Sequence, residues 1–208
     1  MLVLRAHAGQ VPSLGSRLLT RANGMCDVDR STANGTMPGM DAKDTGLVIR
    51  TAEPDEYAAV GALTVDVYVG EGFVQEGSPY AAALADTAHR GASAQILVAI
   101  HADRIVGSLT VARPGTPYAE IARPGELEFR MLAVSKSARG LGAGTALVRT
   151  VIDMAEAEGF RAVALTTMAA MSDARRIYDR FGFVPTPDRD WRTEAGELLN
   201  VLRLNLQP

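Results

Sequence analysis

A glycine-rich turn is the segment of this 208-residue sequence whose residue types are best suited to hold a ligand. It reads Val-Ser-Lys-Ser-Ala-Arg-Gly-Leu-Gly-Ala-Gly-Thr over residues 134–145. Glycines in such a turn let backbone N–H groups approach an anion closely, and the positive end of a following helix favours the anion's charge. The pattern predicts that this turn binds a phosphate group.

Two common phosphate-binding motifs do not match this turn. A P-loop needs a lysine after its last glycine, and here Gly144 is followed directly by Thr145. A dinucleotide fingerprint started at Gly140 would have Thr145 at its third glycine, and the next strand offers threonines at 166–167 where an acidic ribose partner is needed. Both alternatives are therefore disfavoured.

The apolar pattern around the turn predicts alternating strands and helices. Strands are predicted at 47–49, 94–100, 104–111, 126–134, 162–167 and 198–206, and helices at 54–67, 78–88, from the glycine turn to 158, and at 172–180. The short polar connection between the second and third strands favours an antiparallel hairpin, in which Gly107 indicates a bulge. The order of elements predicts an α/β fold, with a mixed sheet flanked by helices on both faces.

Three segments in the same order resemble the GCN5-related N-acetyltransferase (GNAT) family. Arg139-x-x-Gly142-x-Gly144 resembles the family's Q/R-x-x-G-x-G/A signature. The strand at 126–134 resembles its central strand, and residues 174–183 resemble its A-x-x-h-Y-x-x-x-G-F segment. Together with the hairpin, the likeness implies the GNAT acyl-CoA N-acyltransferase fold.

The resemblance implies that acetyl-CoA is the acyl donor, with no metal. Met171 departs from the family pattern, since many members carry an asparagine near the cofactor at this position. Without a ligand, the same glycines would simply make a tight turn between strand and helix. The implied contacts are the backbone amides of Arg139, Gly140, Leu141, Gly142, Ala143, Gly144 and Thr145 for the pyrophosphate, and the backbone of Leu132, Ala133 and Val134 for the pantetheine arm.

Acetyl transfer to an amine needs a neutral amine, a donor for the developing oxyanion and a proton for the departing thiolate. Tyr178 matches the family's tyrosine, which implies a general acid, and the amide of Val134 would be the oxyanion donor. Glu128 lies six residues before Val134, the spacing at which protein-lysine acetylating members place their catalytic glutamate. Glu126, on the same strand face, and a water chain are alternative bases. Glu128 would otherwise form a salt bridge, for example with Arg130.

We expect an N-acetyltransferase (class EC 2.3.1) that moves the acetyl group of acetyl-CoA to a primary amine by direct attack in a ternary complex. Segments 71–80 and 114–125, which vary with substrate in the family, would bind a small-molecule or peptide amine. The acidic residues that would suit a cationic amine are Glu71, Glu76 and Glu120. The alternative is a non-catalytic module that binds acyl-CoA or a partner protein, which Met171 supports.

Length and composition indicate a single globular domain with an N-terminal extension. The chain contains 47% hydrophobic and 22% charged residues, as is typical of globular proteins. Residues 1–46 are rich in Ser, Asn and Gly and lack sustained apolar periodicity. We therefore predict a disordered tail over 1–46 and a GNAT acetyltransferase domain over 47–208.

Charge and cysteine content disfavour several partners and compartments. The formal net charge is −3, from 21 Lys+Arg and 24 Asp+Glu that are interspersed, so no basic surface for nucleic acid is indicated. The single cysteine, Cys26, cannot form an internal disulfide, and no apolar run approaches the roughly 18 residues of a membrane span. We expect a cytoplasmic protein without nucleic-acid or membrane partners, and a homodimer is left open. His89 and His101 are expected on the surface, without a metal site.

Overall fold

The computed structural model of this chain describes residues 46–193 and 196–206. Apart from Gly46, the tail predicted at 1–46 lies outside these residues, as do the last two residues of the predicted domain. Within the described ranges, no helix is both long and apolar enough to cross a membrane.

A central mixed sheet organises the domain, as predicted. Its strands are β1 (Val48–Thr51), β2 (Gln95–His101), β3 (Arg104–Ala112), β4 (Glu126–Val134), β5 (Ala162–Thr167), β6 (Val184–Pro185), β7 (Trp191–Arg192) and β8 (Leu198–Asn205). The sheet order is β1-β2-β3-β4-β5-β8-β6, with β7 paired to β8. Neighbouring strands are antiparallel except β4 and β5, which run parallel.

Helices accompany the sheet, and one of them was predicted incorrectly. They are α1 (Tyr57–Gly70), α2 (Pro79–Ala85), α3 (Thr87–Gly91), α4 (Ala143–Ala157) and α5 (Ser172–Phe181). The helix predicted at 78–88 is two helices, because Asp86 leaves the helical conformation with ψ 69°. Its carboxylate accepts a hydrogen bond from the N–H of His89 at 3.0 Å, so Asp86 is the N-cap of α3.

Two apolar layers hold the sheet between its helices. Leu127 and Phe129 of β4 pack in one cluster with Leu147 and Val151 of α4. A second cluster contains Val67 of α1 together with Met131 and Ala133, whose side chains lie on the opposite face of β4. Because each buried side chain of this size stabilises the fold by roughly 1.5–3 kcal/mol, β4 is held firmly from both sides.

Both long central strands contain an irregularity. Gly107 lies opposite Ala99 whereas Ile105 lies opposite Ile100, so β3 has one extra residue beside Gly107, where a bulge was predicted. On β4, Ser108 lies opposite Ala133 and Thr110 opposite Arg130, so two β4 residues face a single β3 residue. One of these two, Met131, has φ 55°. The β4 bulge bends the strand where it leaves its parallel neighbour.

Candidate active site

A cleft opens between the parallel strands β4 and β5. Their pairing ends at Phe129 and Leu165, although β4 continues to Val134 and β5 to Thr167. Beyond this point Ala133 and Val134 remain paired to β3 on their other side. The final β4 residues therefore have one backbone edge along the cleft, where an extended ligand could pair with it.

The N–H of Val134 points into this cleft. Ser135 donates its N–H to the carbonyl of Val106 at 2.9 Å, on the β3 side of the strand. Because backbone groups alternate sides along a strand, the N–H of the preceding residue points the opposite way, toward the gap left by β5. The amide predicted as the oxyanion donor therefore faces the cleft. The side chains of Leu132 and Val134 pack on the apolar core, as expected.

A small cavity of about 20 Å³ lies at the point where the two strands part. It is lined by Tyr178 and Met171 of the α5 region, Arg130 of β4 and Tyr68 of α1. Tyr178 is 4% exposed, and its ring lies 5.8 Å from the rings of Phe129 and Phe183, measured between centroids. Burial raises the pKa of Tyr178 above its usual range, so the phenol stays protonated at neutral pH and can donate a proton or hydrogen bond.

Met171 occupies the edge of the same cavity. It is the N-cap residue of α5, and its sulfur lies 3.8 Å from the hydroxyl of Thr167. A thioether is a weak acceptor and cannot donate, so the hydrogen bonds that an asparagine would offer a ligand are missing from this side chain.

The three glycines of the turn have different structural roles. Gly140 and Gly142 have φ 84° and 86°, and a Cβ added at either would meet no other described atom within 4 Å. Gly142 is the N-cap of α4, whose first N–H groups have no intrahelical acceptor. A Cβ on Gly144 would instead lie 2.9 Å from Ile177 Cδ1, so this glycine allows α4 to approach α5. Open space therefore borders the first two glycines, where an anion could reach the amides.

Arginines lie on both sides of this turn. The guanidinium of Arg139 forms an ion pair with Glu71, directly after α1. Arg180, an exposed residue of α5, donates to the hydroxyl of Thr145 at 3.4 Å. Ala143 and Gly144 are buried, and Leu141 packs against the core, so these three residues offer backbone rather than side chains. The turn is thus an electropositive N-terminus of a helix.

Glu128 is a buried carboxylate with one oxygen that accepts no hydrogen bond. It is 1% exposed and lies between Ala112 of β3 and Ala164 of β5. Its Oε2 accepts hydrogen bonds from the N–H groups of Ile121 and Ala122, both at 2.9 Å. Its Oε1 has no hydrogen-bond partner among the described residues, but lies 3.9 Å from Nε of Arg130, so the salt bridge given as the alternative is present as a long ion pair. Burial raises the pKa of Glu128 to about 7, against the opposing effects of a nearby arginine and the two N–H donors.

Glu126, the alternative base, is in a very different environment. Its carboxylate, 7% exposed, contacts Arg189 at 2.9 Å and Arg203 at 2.7 Å. Burial alone would raise the pKa of Glu126, but hydrogen bonds from both arginines outweigh it and lower the pKa. A carboxylate held by two guanidinium groups is a weak base, so Glu126 is better explained as a structural link between β4 and the C-terminal strands.

Two of the three acidic residues predicted to attract a cationic acceptor are already paired. Glu71 contacts Arg139, and Glu120 lies 2.6 Å from Arg130. His89 is exposed, as expected, whereas His101 is half-buried, so its predicted surface position was wrong. Among residues 46–193 and 196–206, no group of three or more His, Cys, Asp or Glu side chains could hold a metal ion.

Tyr68 and Arg180 were missed by the sequence reasoning. Tyr68 lies one residue beyond the predicted end of α1 and reaches the cavity of Tyr178 only through tertiary packing. Arg180 and Thr145 are 35 residues apart in the chain. No local pattern could have identified either residue, because each comes to the site through a contact between distant elements.

Solved structures share this architecture. A GNAT-family acetyltransferase from Staphylococcus aureus Mu50 has a TM-score of 0.61 at 16% identity, covering 77% of this chain and 99% of that one. The yncA protein of Salmonella typhimurium, whose structure contains its cofactor acetyl-CoA, has a TM-score of 0.58 at 17% identity, covering 78% and 95%. At these identities the likeness shows the fold alone, which this chain shares with both structures.

Sequence comparison identifies the family. Residues 62–183, more than half of the chain, match the model of the acetyltransferase (GNAT) family. The chain belongs to this family. It is also 41% identical over 58 residues to the Xenopus tropicalis protein named "Probable N-acetyltransferase camello". That match covers 28% of this chain and 26% of the Xenopus protein, so the matched stretch is about a quarter of that relative.

Proposed function

We propose that this protein transfers the acetyl group of acetyl-CoA to a primary amine by direct attack in a ternary complex. The observation that carries the proposal is that three features meet at one cleft. An unpaired strand edge runs along it, the open glycine turn follows that edge directly, and the protonated phenol of Tyr178 lies at its apex. Each feature matches one part of a thioester cofactor: the pantetheine arm, the pyrophosphate and the sulfur.

Acetyl-CoA would bind mainly through the protein backbone. The pyrophosphate would accept hydrogen bonds from amides of residues 139–145, where the α4 dipole favours its charge. The pantetheine arm would lie along Leu132, Ala133 and Val134 like an added strand. The bound acetyl-CoA of the yncA protein supports this choice of donor. Backbone binding needs no particular side chain at most of these positions, although Met171 would not supply the hydrogen bonds that an asparagine offers.

In the chemical step, the neutral amine attacks the thioester carbonyl carbon. A carbon–nitrogen bond forms, and the N–H of Val134 stabilises the negative charge that develops on the carbonyl oxygen. The carbon–sulfur bond then breaks, and Tyr178 gives its proton to the departing thiolate. Before the attack, Glu128 accepts the proton that the ammonium form of the acceptor must lose, directly or through water. A carboxylate with a pKa of about 7 is well matched to this role at neutral pH.

A second candidate function is non-catalytic binding of acyl-CoA, which Met171 favours because a cofactor-binding asparagine is absent there. Thiol release from acetyl-CoA in the presence of polyamines, aminoglycosides, amino acids and lysine peptides separates the two. We expect release that depends on one class of amine, with one acetylated product per thiol detected by mass spectrometry. Tight CoA binding without amine-dependent release across the panel would favour the binding module instead.

A further inference from the structure

Arg130 lies between two carboxylates and contacts them unequally. Its side chain, 13% exposed, reaches Glu120 with an N–O distance of 2.6 Å. Its Nη1 also donates to the carbonyl of Tyr118 at 3.3 Å. By contrast, its Nε lies 3.9 Å from Oε1 of Glu128, a long ion pair that is beyond hydrogen-bond distance. The guanidinium therefore makes its short carboxylate contact with Glu120 and only a long one with Glu128.

This arrangement leaves Oε1 of Glu128 without a hydrogen-bond partner, although it is fully buried. An unsatisfied buried acceptor is unfavourable, and a guanidinium less than 1 Å too far away could satisfy it. Something must oppose that movement. The contact with Glu120 does so, because moving Arg130 onto Glu128 would lengthen the shorter of its two carboxylate contacts.

We propose that Glu120 is a positioning residue, which holds Arg130 away from Glu128 and so keeps Oε1 of Glu128 available to accept a proton. The inference rests on the proposed function of Glu128 as the base. Glu120 itself needs no contact with the substrate or the cofactor. The sequence predicted that the negative charge of Glu120 attracts a cationic acceptor. In the structure that charge pairs with Arg130 instead.

No other charged neighbour described around this group can replace Glu120. Burial raises the pKa of both Tyr68 on α1 and Tyr80 on α2, so their phenols stay neutral. The same holds for Tyr118, where burial is again the first cause. Arg90 of α3 already donates to two carbonyls at the end of α2 and to Thr87. The neighbours of Glu128 on the adjacent strands are alanines, and Glu126 is occupied by Arg189 and Arg203.

The substitution Glu120→Gln tests the proposal, since it keeps the side-chain volume and removes the charge. Arg130 is then expected to come within hydrogen-bond distance of Glu128, and an opposite charge at that distance lowers a carboxyl pKa by roughly 1–3 units. The acid limb of the kcat/KM profile should move from near pH 7 to about pH 6 or lower, and turnover at pH 8 should fall about tenfold. Glu120→Asp should restore part of both. The matched control is Glu158→Gln, which breaks the surface pair with Arg113 and should leave the profile unchanged.

A direct titration separates this inference from the proposed function. The carboxyl carbon of Glu128, observed by NMR in the protein without substrate, should titrate at lower pH in Glu120→Gln than in the unmodified chain. Arg130→Gln should move it the opposite way, because a positive neighbour is lost. The Glu120 charge also raises the pKa of Glu128 directly, so Glu120→Gln must be measured in the Arg130→Gln background as well. If Glu120 positions Arg130, Glu120→Gln lowers the titration of Glu128 more when Arg130 is present than when it is absent, and equal shifts in both backgrounds overturn the proposal. Glu120→Asp replaces Glu120→Gln in this comparison if Glu120→Gln does not fold. If Glu128→Gln leaves turnover intact, Glu128 is not the base, and the comparison of the two backgrounds still decides whether Glu120 positions Arg130.

Discussion

The raised pKa of Glu128 makes a quantitative prediction about stability. Burial moves the pKa of this carboxyl from 4.5 to about 7 in the folded protein. Between these two pH values the folded state keeps a proton that the unfolded state has released, so the free energy of unfolding falls as pH rises. At 1.36 kcal/mol per pKa unit, the loss amounts to about 3 kcal/mol between pH 4.5 and pH 8. The side chain is almost fully buried, so solvent screening reduces this value little.

The substitution Glu128→Gln removes the titrating group and should remove this slope. We expect the difference in unfolding free energy, variant minus unmodified protein, to rise by about 3 kcal/mol from pH 4.5 to pH 8. Denaturant unfolding at a series of pH values measures it, and the difference cancels the titration of all shared groups. The difference in unfolding free energy at any single pH does not test the prediction, because the amide N–H₂ introduced at position 128 faces Arg130 and is itself destabilising.

Glu126→Gln is the matched control on the same face of the same strand. The ion-paired Glu126 has a lowered pKa, so its contribution to stability is present above its unfolded pKa and is lost as pH falls. Its difference curve should therefore become more unfavourable as pH rises toward 4.5, and should be nearly flat from pH 4.5 to pH 8, where the Glu128→Gln curve rises. Two parallel difference curves, or a flat curve for Glu128→Gln, would refute the assignment of a buried, proton-holding carboxyl at 128.

Three further predictions concern the cofactor, the acid and the tail. CoA should raise the melting temperature of the protein, while NAD and ATP should not. Gly142→Val should abolish that shift. The control variant Gly159→Val imposes similar backbone strain, at φ 74° beyond the end of α4, and should keep the shift. Tyr178→Phe should keep CoA affinity but lower kcat at least about tenfold, and a wild-type rate with chemistry rate-limiting would contradict the assigned acid. Removal of residues 1–40, whose sequence lacks apolar periodicity, should leave the melting temperature and CoA binding intact, which calorimetry can check.

The sequence predicted the elements that run through the core far better than the partners of the charged residues. The bounds of β4 and β5 were correct, because β4 begins directly after Gly125 and β5 is an uninterrupted run of Ala, Val, Leu and Thr. The break at Asp86 was missed, since Ala-rich residues on both sides favour a continuous helix. Helix propensity was outweighed there by the capping of α3.

The environments of Glu126 and Glu128 could be determined only from the structure. The two glutamates lie two residues apart on one face of one strand, and only the family's spacing from Val134 favours Glu128. Arg189 and Arg203, which lower the pKa of Glu126, are 63 and 77 residues away in the chain. Contacts of this sequence separation are set by tertiary packing, so the opposite pKa shifts of the two carboxylates could not be predicted from the sequence.

The environment of Glu128 links stability to the proposed chemistry. Alanines on both neighbouring strands offer the carboxylate no polar side chain, and desolvation by burial is the largest cause of its raised pKa. The same desolvation costs about 3 kcal/mol at pH 8, where the group is ionised. An ion pair with Arg130 would recover part of that cost, but it would also lower the pKa and occupy the free oxygen. A base that works near pH 7 therefore requires both the burial of Glu128 and the restraint on Arg130. Both lower the free energy of unfolding, and the apolar layers on either side of β4 must offset that loss.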